Sequence, residues 1–284
     1  MPNWTMNRVY CKNLKSLIKD GKLLFPKDGN IVDFERLLPM PKSLDISSPV
    51  DVDAVVAYLT DDFKLPVTEE LIRKVHEICF KDNFFVRLDD TRKYVLNAVN
   101  NRRPGEMVDL KISFDEASEM IPLRDKGRIY VENHEKYGHA SWYDWACDVW
   151  GTKWNASEPY WIDDDILEFS SAWSPPIGFF KALAKEFSDQ EFRFILADED
   201  YGSGCGFAIA KNGKIAGKCF EPGDVNSYRT AIYLLGELYE EYLEQEGGSW
   251  AHIYKKALSR PLTNDLFRGS IVRSLEVKKW TKIR

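Results

Sequence analysis

Tryptophan is concentrated in one short segment of this chain. Six of the nine Trp residues lie between Trp142 and Trp173, in a sequence of 284 residues whose hydrophobic content is an ordinary 44%. Trp is seldom left wholly exposed, so the segment either packs as a rigid aromatic core layer or forms a stacking surface for a partner. The sequence leaves both interpretations open, and part of the cluster can serve both.

Alternating apolar residues predict an antiparallel sheet built from both ends of the chain. The predicted extended segments are Trp4 to Tyr10, residues 31–38, Ile166 to Phe169 and Glu191 to Leu196. A hairpin is predicted around Asn212-Gly213, between residues 205–210 and 214–220, because both turn residues tolerate the left-handed backbone conformation. The sheet therefore combines strands that are far apart in sequence.

Apolar residues at three-to-four spacing predict helices between these strands. The predicted helices are residues 14–18, 52–59, 68–79, 92–99 and 143–149, one that follows Ser174-Pro175-Pro176, and 231–243. Three of them form a helical block between residues 46 and 104, which interrupts the strand pattern. The order of elements is typical of an α+β fold rather than a doubly wound sheet.

No catalytic, metal or cofactor site is predicted. His134 and His139 are one residue too far apart for the zincin pattern, since five helical residues separate the two imidazoles by about 140°. Asp163 to Asp165 and Asp198 to Asp200 offer carboxylates for a hard cation, but such runs beside turns are usually solvated. We therefore expect no catalytic residues, no metal and no cofactor.

Charge and hydropathy limit the expected partners. The net charge is −6, yet nine Lys and Arg side chains follow residue 250 against only Asp265 and Glu276. Such a tail either docks on the acidic body or contacts nucleic acid, and its apolar residues favour docking. No apolar run is long enough to span a membrane and no signal peptide is recognised, so we expect a cytoplasmic protein without a membrane partner.

Several rare motifs occur together and in order. They are Met1-Pro2-Asn3-Trp4 with Asn7-Arg8-Val9, Pro39-Met40-Pro41, Tyr143-Asp144-Trp145, Trp150-Gly151-Thr152-Lys153-Trp154-Asn155-Ala156 and Ala172-Trp173-Ser174-Pro175-Pro176. This set resembles the YubB family of phage and plasmid proteins, described as ferredoxin-like proteins of unknown function. The sequence departs from the family pattern at Thr5, where a cysteine is usual, so no redox or metal role is expected there.

The resemblance implies a fold and a setting. The expected fold is a ferredoxin-like antiparallel sheet with helices packed on one face, formed by residues 1–45 and 105–248. A helical insert would occupy residues 46–104, and a basic C-terminal tail residues 249–284, largely docked. The two motifs that contain Trp154 and Trp173 are expected to lie side by side, with Trp4 beside them.

Three classes of function follow from these observations. The first is a non-enzymatic phage or plasmid accessory protein in a bacterial cytoplasm, which binds a host protein and inhibits a defence system. The second is a single-stranded nucleic-acid-binding protein that uses exposed aromatics and the basic tail. The third and most distant is an enzyme with an unrecognised carboxylate site. The candidate binding residues are Trp4, Asn7, Trp150, Lys153, Trp154, Asn155 and Trp173.

Overall fold

The computed structural model describes residues 3–21, 32–81, 83–110, 119–236 and 251–259. The strands are β1 (Trp4–Tyr10), β2 (Met107–Leu110), β3 (Glu119–Pro122), β4 (Ser157–Trp161), β5 (Ile166–Ala172), β6 (Glu191–Asp198), β7 (Gly206–Lys211) and β8 (Lys214–Cys219). The helices are α1 (Leu14–Gly21), α2 (Val52–Leu59), α3 (Glu69–Phe80), α4 (Leu88–Asn101), α5 (Leu123–Tyr137), α6 (Trp142–Val149), α7 (Ile177–Glu186), α8 (Val225–Leu235) and α9 (Ala251–Leu258). None of the helices in these ranges has the length and apolar character needed to span a membrane.

The chain divides into two compact units. The sheet unit consists of residues 1–39 and 148–284, and the helical unit of residues 40–147. The helical insert expected over residues 46–104 lies within the helical unit, whose bounds are wider. Tyr130 and Val131 of α5 are buried in the same cluster as Val55, Val75 and Val95, so residues beyond 104 are needed to complete the helical core.

The sheet unit contains a six-stranded sheet in the order β4-β5-β1-β6-β7-β8. Every neighbouring pair is antiparallel. The segments β1-α1 and β4-β5-α7-β6 give the βαββαβ order of a ferredoxin-like fold, with β1 between β5 and β6. The hairpin β7-β8 extends the sheet, and both Asn212 and Gly213 in its turn have positive φ, as predicted.

Phenylalanine rings form the core between the sheet and α7. Phe180 of α7 stacks on Phe194 of β6 with ring centroids 3.7 Å apart, and Phe179 approaches Phe34 at 4.5 Å. Residues 34–36 had been predicted as part of a strand, but they form a 3₁₀ turn that Asp33 caps through the Glu35 N–H. The turn directs the fully buried Phe34 ring into the core.

The predicted antiparallel α+β architecture is confirmed, and a helix also covers the second face of the sheet. Ile195 and Ala197 alternate with Phe194 along β6, so they point to the opposite face. There they pack with Ala231 and Leu234 of α8. The resemblance implied helices on one face only, and α8 covers the other face.

Part of the predicted tail is docked on α8. Tyr254 and Ala257 of α9 are fully buried and pack against Tyr228 of α8, and the Tyr228 and Tyr254 rings meet edge to face at 6.0 Å. The docked arrangement is therefore seen for residues 251–259. The remaining residues of the tail, 260–284, lie outside the described residues.

The helical unit is built on a close crossing of α2 and α5. A Cβ atom on Gly127 of α5 would lie 1.8 Å from the Ala54 carbonyl oxygen of α2. Side chains cap the starts of α2 and α3, where Asp51 and Thr68 accept hydrogen bonds from the Ala54 and Leu71 N–H groups. The strands β2 and β3 form a separate two-stranded sheet.

We predict that Gly178→Ala destabilises the sheet unit by about 2 to 3 kcal/mol, more than the small gain in helix propensity that alanine brings. A Cβ atom on Gly178 would lie 1.8 Å from the Val149 carbonyl oxygen, which is backbone and cannot rotate away. Chemical denaturation measures the change. Lys181→Ala, at an exposed position of the same helix, is the control and should change stability by less than about 0.5 kcal/mol.

Candidate binding site

Two loops of the sheet unit lie side by side, as the sequence motifs predicted. Thr152 Oγ1 donates a 2.7 Å hydrogen bond to the Ala172 carbonyl oxygen, and Ser174 Oγ donates one of the same length to the Gly151 carbonyl oxygen. These bonds join residues 150–156 to the end of β5. The two tryptophans that follow, Trp154 and Trp173, are thereby brought to the same end of the sheet.

Trp4 joins them from the first strand. Trp4 is paired with Ala172 in the β1–β5 register, and the Trp173 N–H donates a 2.8 Å hydrogen bond to the Asn3 carbonyl oxygen. The Trp4 and Trp154 ring centroids are 5.9 Å apart. The prediction that Trp4 lies beside both motifs is confirmed.

Lys153 lies between two of the indole rings. Its ammonium nitrogen is 4.6 Å from the Trp154 ring centroid and 4.4 Å from the Trp173 ring centroid. Both distances are within the range of a cation–π interaction. We refer to Trp4, Lys153, Trp154 and Trp173 as the tryptophan–lysine patch.

The patch is open to solvent. Trp154 is 37% exposed and Trp173 is 45% exposed, which is unusual for the residue type that gains most from burial. The sequence left open whether the tryptophan cluster is core or surface, and the structure divides it. Trp154 and Trp173 present ring surface to solvent, whereas Trp145 and Trp150 are buried.

Trp173 also has an uncommon backbone conformation. Its φ of 68° lies in the left-handed region, which costs a bulky residue on the order of 1 kcal/mol or more. The hydrogen bond from Trp173 N–H to Asn3 helps to hold this conformation. Strain of this kind often accompanies a functional position.

Trp150 supports the loop from inside. Its indole N–H donates a 2.9 Å hydrogen bond to the Leu38 carbonyl oxygen, and its ring packs edge to face with Phe34 at 5.9 Å. Its carbonyl oxygen accepts hydrogen bonds from the Gly178 and Phe179 N–H groups. Trp150 was predicted as a binding residue, but it is only 6% exposed. Its contacts support the fold of the loop.

Asn155 and Asn7 are also held internally. The Asn155 side chain accepts a hydrogen bond from the Phe34 N–H at 2.8 Å and donates one to Asp33 at 2.7 Å. Asn7 is fully buried, and its amide nitrogen donates to the Thr5 carbonyl oxygen and to Ser171 Oγ. Its Oδ1 atom is buried without a hydrogen-bond partner among the described residues. Neither side chain reaches the patch surface.

Acidic residues border the patch. Asp198, at the end of β6, accepts a 3.4 Å hydrogen bond from Asn3 Nδ2, and burial raises the pKa of its carboxyl group. Glu199 and Asp200 follow it, and the Glu199 N–H donates to the Trp4 carbonyl oxygen. Within the described ranges, no group of three or more His, Cys, Asp or Glu side chains is arranged to hold a metal ion.

One ionic network was not predicted from the sequence. Arg8 of β1 donates to Glu168 of β5, which also accepts a hydrogen bond from the Tyr160 hydroxyl group. Burial is the largest single influence on Arg8 and lowers its pKa, but the hydrogen bond and the negative charge of Glu168, together with Tyr233 and Tyr10, raise the Arg8 pKa above its ordinary value. The two charges are 160 residues apart, so only the strand register could have paired them. Because both Glu168 oxygens are engaged, the network is primarily structural.

We predict that Trp150→Ala and Trp154→Ala differ strongly in their effect on stability. Trp150→Ala should cost about 3 to 5 kcal/mol, the range for large core aromatics. Trp154→Ala should cost about 1 kcal/mol or less, because its ring is partly solvated already. Denaturant titrations of the two variants provide the comparison, and equal losses of stability would mean that Trp154 belongs to the core.

A match to a family model supports the ferredoxin-like fold. Residues 149–232 match a family model described as the ferredoxin-like domain in Api92-like protein. A crystal structure of protein Api92 from Yersinia pseudotuberculosis is similar at 12% sequence identity, covering 78% of this chain and 100% of that chain with a TM-score of 0.35. No curated protein matches the sequence. Residues 149–232, which contain Lys153, Trp154 and Trp173, are therefore similar to the ferredoxin-like domain of Api92-like proteins.

Proposed function

We propose that this chain is a non-enzymatic binding protein that uses the tryptophan–lysine patch to bind a bacterial host protein. The single observation that carries the proposal is the position of Lys153 between two partly exposed indole rings. Trp is enriched among the residues that contribute most binding energy at protein interfaces. The patch combines this residue type with a charge at one exposed site.

The geometry of the patch favours tight contact with a folded partner. Lysine normally loses considerable side-chain entropy when an interface orders it. Here the two rings restrict Lys153 before any partner arrives, so less conformational entropy remains to be lost on binding. Trp173 is likewise fixed by its backbone hydrogen bond to Asn3.

Charge favours a protein over a nucleic acid. Asp198, Glu199 and Asp200 lie next to Trp4 at the same end of the sheet and would repel a polyanion. The same carboxylates can pair with basic side chains at the rim of a protein interface. Single-stranded nucleic acid remains the alternative, because a partly exposed indole ring also stacks on bases.

The biological setting belongs to the proposal as well. The motif order resembles the YubB family of phage and plasmid proteins, which favours a role in the cytoplasm of a bacterial cell that carries such an element. A protein that binds a host factor there can inhibit a defence system. This setting defines the cells in which a partner should be sought.

We predict that the intact protein captures a host protein from phage-infected or plasmid-bearing bacterial cells, and that capture survives nuclease treatment. The double variant Trp154→Ala/Trp173→Ala should lower capture by about tenfold or more, as expected for loss of two central aromatic contacts. Ile162→Ala is the matched control, because Ile162 is 44% exposed in the same unit. Quantitative affinity capture with and without nuclease measures both effects.

Two outcomes would contradict this prediction in different ways. Capture that is unchanged in the double variant would exclude the patch as the contact surface. Capture that disappears after nuclease treatment would favour the nucleic-acid alternative.

We further predict weak binding of single- and double-stranded nucleic acid probes by the intact chain at physiological salt. Gel shifts over a salt series test this directly, because phosphate contacts give a steep salt dependence. Submicromolar binding with such a slope, lost in Trp154→Ala/Trp173→Ala, would replace the host protein by single-stranded nucleic acid as the partner of the patch.

A further inference from the structure

The strand β8 forms one edge of the six-stranded sheet. Its register with β7 is regular over its whole length, without a bulge. Hydrogen-bonded and open positions alternate along an antiparallel pair, and the two-residue turn makes Lys214 a hydrogen-bonded position. The N–H and C=O groups of Ile215, Gly217 and Cys219 therefore point away from β7. Within the described ranges, none of these outward groups has a hydrogen-bond partner.

The opposite edge of the sheet is interrupted by its own sequence. The register of β4 with β5 shifts between Ser157 and Tyr160, Glu158 has a φ of 50°, and Pro159 has no N–H group to donate. Bulges and prolines are devices that stop an edge strand from pairing with another chain. Since β8 has neither, it is the edge of this sheet that is open to a further strand.

Exposed lysines line the open edge. Lys214 and Lys218 lie on the same face of β8, because strand residues alternate between faces, and Lys211 of β7 is directly opposite Lys214. Lys185 of α7 lies beside the hairpin turn, since a Cβ atom on Gly213 would be 3.3 Å from the Lys185 Cβ. In the part of the chain that the structure describes, none of these four ammonium groups forms an ion pair.

Three carboxylates lie near these lysines in sequence or in register, and they leave the edge positively charged. Glu191 is paired with Lys211 across β6 and β7, but its carboxylate binds Arg193 at 2.9 Å. The other two, Glu186 and Glu221, stand against four lysines. The edge therefore keeps an excess of positive charge, which favours an anionic partner.

The charges also select the kind of strand that fits. A second copy of the chain would bring its own β8, and antiparallel pairing of two β8 strands places four lysines on one face, where they repel each other. An extended segment with acidic side chains four residues apart meets Lys214 and Lys218 instead. Lysine on an edge strand therefore opposes self-association and admits an acidic strand.

The backbone of β8 favours a peptide over a nucleic acid. Its outward positions present N–H donors and C=O acceptors in alternation. A phosphodiester backbone offers only acceptors, so it would leave the C=O groups of Ile215, Gly217 and Cys219 without donors. An extended peptide satisfies both kinds of group.

We propose that β8 binds an extended acidic segment of a partner protein by strand addition, with the backbone groups of Ile215, Gly217 and Cys219 forming the new ladder. In this mode main-chain hydrogen bonds supply affinity and alternate side chains supply specificity. Acidic side chains opposite Lys214 and Lys218 set the register of the added strand. Because β8 is three strands from β1, this contact is separate from the tryptophan–lysine patch.

A synthetic peptide tests the proposal on the intact protein. The probe is the end-blocked, fluorescently labelled hexapeptide Thr-Glu-Val-Thr-Val-Glu, whose glutamates lie opposite Lys218 and Lys214 when it runs antiparallel to β8. Fluorescence anisotropy should show binding about tenfold or more tighter than that of the same peptide with lysines in place of the glutamates. Amide hydrogen exchange of Ile215, Gly217 and Cys219 should slow when the glutamate peptide is bound.

Charge reversal tests the electrostatic part of the contact. Lys214→Glu/Lys218→Glu should weaken binding of the glutamate peptide by about tenfold or more and tighten binding of the lysine peptide by a similar factor. The fold should be preserved, because the new carboxylate opposite Lys211 attracts it. The control Lys42→Glu/Arg103→Glu makes the same change in net charge at exposed positions of the helical unit. Both affinities should then stay within about twofold of the parent values, since distant surface charges are screened.

A proline substitution tests the ladder itself. Cys219→Pro removes one outward N–H group and leaves the hydrogen bonds to β7 in place, so it should weaken binding of the glutamate peptide by about fivefold. Cys219→Ala keeps the N–H group and should bind like the parent protein. Both variants should keep the circular dichroism spectrum and melting temperature of the parent.

Four results would overturn the proposal. The first is no binding of the glutamate peptide by the parent protein, and the second is equal affinity for the glutamate and lysine peptides. The third is a concentration-dependent dimer whose outward β8 amides are protected without peptide, which would make a second copy the occupant. The fourth is binding of single-stranded DNA that is lost in Lys214→Glu/Lys218→Glu while the peptide does not bind. Trp154→Ala/Trp173→Ala should leave peptide binding intact, so failure of the patch proposal is distinguishable from failure of this one.

Discussion

The contact between the end of α6 and the start of α7 is the constraint on which the sheet unit depends. Gly178 approaches the Val149 carbonyl so closely that no side chain fits between them. The first N–H groups of a helix have no acceptor within the helix, and the N-cap residue of α7, Pro176, has no side-chain acceptor for them. The Trp150 carbonyl oxygen accepts hydrogen bonds from two N–H groups of this first turn instead. The same contact therefore begins α7 and fixes the loop that follows Trp150.

The tryptophan–lysine patch follows from that constraint. Gly151 has a φ of 91°, and a Cβ atom there would lie 2.8 Å from the Ile177 nitrogen, so the chain turns away from α7 immediately after Trp150. Thr152 and Ser174 then tie the two loops together. A rigid core position thus supports an exposed site that begins only three residues later, at Lys153.

Local patterns predicted much of the fold. β1 and the hairpin β7–β8 were found because alternation and Asn212-Gly213 are local signals. The 3₁₀ turn at Phe34 was taken for part of a strand, because its three residues are too few for apolar periodicity to separate a turn from a strand. The helix α5 was not predicted, since its many charged residues obscure the apolar spacing and its buried Tyr130 and Val131 belong to a core assembled from segments that are distant in sequence.

The candidate site was predicted in part. The motif order correctly predicted that Trp4, Trp154 and Trp173 come together, but it could not separate the rings in the core from those on the surface. Trp150 and Trp154 lie in the same motif, but Trp150 is buried and Trp154 is partly exposed. The chain changes direction between them, at Gly151. Asn7 and Asn155 were included for their place in the motifs, although their hydrogen bonds serve the fold. The Arg8–Glu168 pair required the strand register, which no local pattern contains.

The position of β1 at the centre of the sheet has a consequence for the synthesis of the chain. On one side of β1, Asn7 contacts Phe169 of β5, which is 162 residues later in the sequence. On the other side, Asn7 is paired with Leu196 of β6. At translation rates of roughly 5 to 20 residues per second, β1 leaves the ribosome about 8 to 30 s before its first partner strand. During that interval both edges of the strand have no native partner, while the helical unit, which has a buried core of its own, is synthesised in full. A newly made chain is therefore exposed to strand-edge association at its very start, and any chaperone that binds Trp4–Tyr10 would act before the sheet exists.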